Sequence, residues 1–216
     1  MKTFKHFLIE QATKGAIAIY PGRFQPMFTH HKQVYDELVS TFKNNNVYIA
    51  TSNDTSNPLN SPLNFEQKKK VMTKMLDIKD NKILEVASPY RIDLYKDIVS
   101  DKNVLYFALG EKDQQERFPF KNPNGINYKK DGITPTAIQP EAAATDPIIR
   151  SLPQVAFIKI IRNVESGEGV MSATNFRTAI RNADSFELAR SIFFNAYSKP
   201  VNTEMDDVIE AIRTTY

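Results

Sequence analysis

Ala16-Ile17-Ala18-Ile19-Tyr20-Pro21-Gly22-Arg23-Phe24-Gln25-Pro26, with His30-His31 a few residues on, is the stretch that decides how this chain is read. Its first five residues are apolar without alternation, as suits a strand buried on both faces of a parallel sheet. Gly22 then permits close backbone approach, and a cation and an amide follow at once. A helix pattern begins near His30 or His31. Its unpaired N–H groups and partial positive charge suit a phosphate. The same residues also admit a plainer reading: a Pro/Gly loop with a solvent-facing Arg23 and a histidine that merely starts a helix.

Similar runs recur at Val47-Tyr48-Ile49-Ala50, Ile83 to Ala87, Val104 to Leu109 and Val155 to Ile161. Between them lie helical patterns. From His31 to Phe42 the residues Val34, Tyr35, Leu38 and Phe42 share one face. After Asn64 the residues Phe65, Met72, Met75 and Leu76 do the same, with Lys68, Lys69 and Lys70 expected on the wet side; Asn64 and Gln67 have capping-box spacing. Tyr90 to Val99 is a third helix candidate. This alternation predicts an α/β fold: a Rossmann-like doubly wound parallel sheet of about five strands with right-handed crossovers. Residues 118–153 hold six of the twelve prolines and predict a long loop or arm. Asp184 with Glu187 and Thr203 with Asp206 predict two capped helices in the tail. Phe4, Phe7 and Leu8 suggest a short amphipathic helix at the start. The expected division is an α/β domain over 1–183 and a helical tail over 184–216.

Composition narrows the chemistry. Cysteine is absent, which excludes disulfides, thiolate metal sites and thiol nucleophiles. Three histidines (His6, His30, His31) leave little for a histidine-rich metal site. A net charge of +3 is too small to argue for nucleic acid or an anionic membrane as partner. With no apolar run long enough for a secretory or spanning segment, a cytoplasmic location is the expectation.

Two further stretches resemble strand or helix ends that handle anions. In Met171-Ser172-Ala173-Thr174-Asn175-Phe176-Arg177, Ser172 or Thr174 can cap a helix whose N–H groups, with Arg177 one turn on, form an anion site. Leu109-Gly110-Glu111-Lys112-Asp113 is another strand end carrying a glycine and polar side chains.

Gly22 to Pro26 with the histidines after it resembles the opening G-R-F-Q-P-x-H-x-G-H motif of the HIGH-type nucleotidyltransferase superfamily, especially members like the nicotinamide-mononucleotide adenylyltransferases. Ser172 to Arg177 is similar to that family's closing S-x-T-x-x-R motif. Pro62 to Lys68 resembles its P-[FL]-T-x-x-E-R helix start, with Lys68 where arginine is usual. Gly110 to Asp113 resembles its G-x-x-D turn. One departure stands out: Phe28 takes the place of the first histidine and His30 that of the glycine, so only His31 keeps its identity. Loss of one oxyanion donor costs about 2–4 kcal/mol of transition-state stabilisation. This shifted double histidine resembles phage-encoded members of the group, which would place the chain in host cytoplasm or a virion.

The resemblance implies an enzyme that moves a nucleoside monophosphate, AMP from ATP before CMP from CTP, onto a phosphate-bearing acceptor such as nicotinamide mononucleotide. Pyrophosphate would leave, and Mg²⁺ would ride on the nucleotide phosphates. His31 and His30 would steady the phosphates and Arg23 and Arg177 would clamp them. Ser172 and Thr174 would hydrogen-bond them, and Gly22, Phe24, Gln25, Gly110 and Asp113 would line the nucleotide. Lys68 would meet the acceptor phosphate. The competing expectation is a catalytically degenerate member of the same fold, a structural or interaction component that assembles with itself or other proteins through 118–153 and 184–216.

Overall fold

The computed structural model describes residues 15–99, 104–161 and 172–215. Phe4, Phe7 and Leu8 lie outside them. Among the described residues the sheet has six strands: β1 Ala16–Pro21, β2 Val47–Thr51, β3 Ile83–Glu85, β4 Val104–Gly110, β5 Ile138–Pro140 and β6 Ala156–Ile161. Their order is β3-β2-β1-β4-β6-β5. Strand order reverses between β1 and β4, so the sheet is doubly wound with a switch point where the sequence places strand one. The β1–β4, β4–β6 and β5–β6 pairs are parallel; Ala16 lies opposite Val104 and Leu105 opposite Ala156. All six residues of β1 are buried, as its unbroken apolar run demands.

The helices are α1 Thr29–Phe42, α2 Phe65–Leu76, α3 Glu111–Arg117, α4 Pro147–Arg150, α5 Ala173–Arg181, α6 Phe186–Asn195 and α7 Asp206–Arg213. Val34, Tyr35, Leu38 and Phe42 of α1 are each buried, following the predicted face. The α2 capping box forms in full, Asn64 accepting from the Gln67 N–H and Gln67 returning the bond to the Asn64 N–H.

Several expectations need correction. Tyr90 to Val99 holds one 3₁₀ turn, Ile92–Tyr95; the Ile98 and Val99 N–H groups both end on the Tyr95 carbonyl, so no helix propagates. Residues 118–153 are not structureless. They contain β5, α4 and a Tyr128–Pro135 bridge, and β5 brings the sheet to six strands where about five are expected. The buried Gln139 side chain organises this stretch, accepting from the Asn127 N–H at 2.8 Å and donating to the Asn127 carbonyl at 2.8 Å. The caps of the last two helices are also displaced. Ser185, not Asp184, caps α6 through the Leu188 N–H. Met205 holds the cap position of α7, where Thr203 offers only its carbonyl to the Asp206 N–H. Among the described residues no helix is long and apolar enough to cross a membrane.

The chain divides into two compact units. The first comprises Met1–Pro21, Tyr35–Ile49 and Tyr90–Asn163. Its core is aromatic: Tyr106 packs against Phe42 and Phe157, and Phe107 against Tyr90 and Tyr95. The second comprises Gly22–Val34, Ala50–Pro89 and Val164–Tyr216. Here α5, α6 and α7 pack on one another and α7 meets α2. Phe176 and Phe193 join α5 to α6 with ring centroids 5.8 Å apart. The lysine face of α2 is tied to the tail by Lys70–Asp207 at 2.6 Å and Lys74–Glu204 at 2.7 Å.

Candidate functional site

The second unit holds the loop from Gly22 to Phe28, both histidines, Lys68 and the α5 motif. The loop is tightly determined. Phe24 has φ 45°, rare for a non-glycine residue. Its ring folds back so that a Cβ on Gly22 would meet it at 2.5 Å, so a larger residue at position 22 would have to displace the Phe24 ring. The Gln25 amide forms two 2.9 Å bonds to the backbone of Leu63, donating to its carbonyl and accepting from its N–H. The Gln25–Pro26 peptide is cis. Phe24 and Gln25, expected at the nucleotide, are therefore buried and engaged with protein.

Phe28 is also a core residue. Its ring meets Phe176 edge-on at 5.0 Å and stacks on Tyr197 at 5.8 Å. Its N–H donates to His31 Nδ1 at 3.1 Å. That bond fixes the tautomer of the neutral ring: the proton sits on Nε2, which is left as a donor. Burial first, and then the neighbouring His30, push the His31 pKa down to about 3. The His30 pKa is lowered by burial too. The two rings lie 3.9 Å apart, and His30 Nδ1 is buried without a hydrogen bond among the described residues. Both imidazoles are neutral donors at neutral pH rather than cations.

The α5 motif forms as the sequence suggests. Ser172 is the cap, accepting from the Asn175 N–H at 3.1 Å, and Thr174 is exposed in the first turn. Arg177 is only 5% exposed. Its Nη1 donates to the Gln25 carbonyl at 2.8 Å and its Nη2 reaches Thr174 Oγ1 at 3.5 Å, whereas its Nε is buried with no acceptor among the described residues. It has no carboxylate partner among the described residues. Burial lowers its pKa, and the positive charges of Arg181 and then Arg23 lower it further. A buried guanidinium with cations for neighbours and an unused donor is costly unless an anion completes it.

Lys68 corrects the expectation of a solvated face, being 1% exposed. Its Nζ donates to the Ser52 carbonyl at 2.7 Å and lies 3.4 Å from Thr51 Oγ1. Burial carries its pKa down to about 8, with Asp54 opposing and Arg23 adding to the shift. The spacing already held the signal, since Lys68 falls between Phe65 and Met72 at steps of three and four. Thr51, Ser52 and Tyr197 join the site through bonds across 16 to 170 residues of sequence, for which no local pattern exists.

Gly110 and Asp113 belong to the first unit. Gly110 precedes α3, and Asp113 is exposed there, 3.7 Å from Arg117. Tyr20, at the end of β1, has its phenol pKa raised by burial and then by the Asp113 charge. Among the described residues no three His, Asp or Glu side chains group to hold a metal ion.

No protein-family model matches the chain, and no curated protein does. Among solved structures it is similar to Plasmodium falciparum nicotinic acid mononucleotide adenylyltransferase complexed with APC, and to the same enzyme complexed with NaAD. In both cases identity is 16% and the TM-score 0.45, with 86% of this chain and 98% of that chain covered. A likeness of this degree assigns neither substrate nor residue role.

Proposed function

We propose that the chain is a nucleotidyltransferase that moves AMP from ATP onto a phosphate-bearing acceptor such as nicotinamide mononucleotide. An acceptor phosphate oxygen attacks the α-phosphorus, a new P–O bond forms, the α–β anhydride bond breaks and pyrophosphate leaves. Such chemistry asks for positioning and charge neutralisation more than for a covalent nucleophile. The observation that carries the reading is Arg177: buried and, among the described residues, lacking a carboxylate and holding an unused Nε–H. Arg23, Arg177 and the Lys68 charge would neutralise the phosphates. His31 Nε2–H, the Ser172 and Thr174 hydroxyls and the α5 N-terminus would donate to their oxygens. Mg²⁺ would arrive on the nucleotide as part of the substrate.

The competing reading, an interaction component with a decayed site, is favoured by one observation: Phe28 stands in the aromatic core where a phosphate donor is expected. Calorimetric titration of MgATP separates the two. The transferase reading expects saturable heat with the wild type and affinity about 10–100-fold weaker in Arg177→Met, the range for losing charge-assisted hydrogen bonds. Lys74→Met, altering an exposed surface pair, should bind like the wild type. Absence of heat with the wild type would leave the interaction reading standing.

A further inference from the structure

Alternate carbonyls of the site loop are each held by a side chain from a distant part of the second unit. The Arg23 carbonyl accepts from Thr51 Oγ1 at 3.3 Å, that of Gln25 from Arg177 Nη1 at 2.8 Å, and that of Met27 from the Tyr197 hydroxyl at 2.8 Å. The last clamp comes from beyond the α5 motif, within the segment the sequence sets aside as tail. Tyr197 is buried, and its ring stacks on Phe28 at an interplanar angle of 17° and against Phe193 at 5.3 Å. Phe28 in turn stacks on His30 and His31 at 5.9 and 6.4 Å and gives its N–H to His31. One phenol thus grips the backbone of residue 27 and the ring of residue 28, next to the bond that orients His31. Burial keeps the phenol protonated and hence a donor.

We infer that Tyr197 is a positioning residue: by fixing Met27 and Phe28 it holds the Phe28 N–H on His31 Nδ1 and so keeps Nε2 as the proton-bearing donor. Its consequence for ligand affinity rests on the proposed transferase function; its consequence for the loop does not.

The test compares Tyr197→Phe, which keeps the ring and removes the hydroxyl, with Val208→Ala, which loosens the buried face of α7. Two quantities are measured: hydrogen exchange at the Phe28 amide, and calorimetric affinity for MgATP and inorganic tripolyphosphate. In Tyr197→Phe the Phe28 amide should exchange about tenfold faster than in Val208→Ala, and affinity for both ligands should fall about 3–10-fold, as expected for one hydrogen bond. Val208→Ala should bind like the wild type. Unchanged Phe28 exchange in Tyr197→Phe overturns the inference. Faster exchange with unchanged affinity also overturns it, because His31 would then not depend on the clamp. If the wild type binds neither ligand, the transferase reading falls, and the exchange arm alone decides whether Tyr197 holds the loop.

Discussion

His31 is where sequence and structure diverge most instructively at the residue scale. Its identity and place were legible in the chain; its state was not. The Phe28 N–H occupies Nδ1, and burial with His30 alongside brings the pKa to about 3, so the ring is a neutral donor. The sign of the pH dependence follows. An unfolded histidine takes up a proton near pH 6.5 while the folded one resists until about 3, so the unfolded state gains protons first and stability falls as pH drops through that window. His31→Asn keeps a side-chain oxygen to accept the Phe28 N–H but cannot be protonated. Urea unfolding between pH 7 and 4 should show a shallower loss of stability in this variant than in the wild type; equal slopes would disprove the assignment. Lys68 and Gln25 teach a related lesson. Both look like ligand-facing polar residues in sequence, yet both are consumed by the backbone, at Ser52 and Leu63. A motif names residue types without saying which of their donors the protein has already used.

Among the elements, those with local signatures were readable and those defined by distant partners were not. The α2 start is the clearest case, because both halves of the capping box lie within four residues. Asn64→Ala should lower stability by about 1 kcal/mol, seen as ~2–4 °C in Tm for a chain of this size, and Asn64→Ser should recover most of it. An unchanged Tm in Asn64→Ala would mean that the box contributes nothing. The Tyr90–Val99 pattern had apolar spacing but only one turn formed, since periodicity without caps does not fix length. Strand β5 carried no signal: three residues ending in Pro140 form no apolar run, and their pairing depends on β6, which follows later in the chain. The ends of α6 and α7 moved by a residue or two for a similar reason, as Ser185 competes with Asp184 one position away.

At the scale of the whole molecule, buried apolar strands alternating with amphipathic helices were enough to predict the doubly wound sheet and its switch point. They were not enough to predict that the tail would reach the site. Tyr197 on Met27 spans 170 residues of sequence and Arg177 on Gln25 spans 152, and such bonds exist only once the chain has folded. The result is a loop over-determined by its clamps, beside a buried cation that lacks a counter-charge among the described residues. That combination lowers stability unless an anion is bound, which is a common property of binding sites. Its meaning is settled by pyrophosphate release from MgATP, followed with nicotinamide mononucleotide and a panel of other phosphate acceptors. Release in step with a coupled nucleotide product is expected, reduced at least about tenfold in Arg177→Met, the lower bound for a charge-assisted contact. No pyrophosphate with any acceptor, together with no MgATP binding by the wild type, would contradict it.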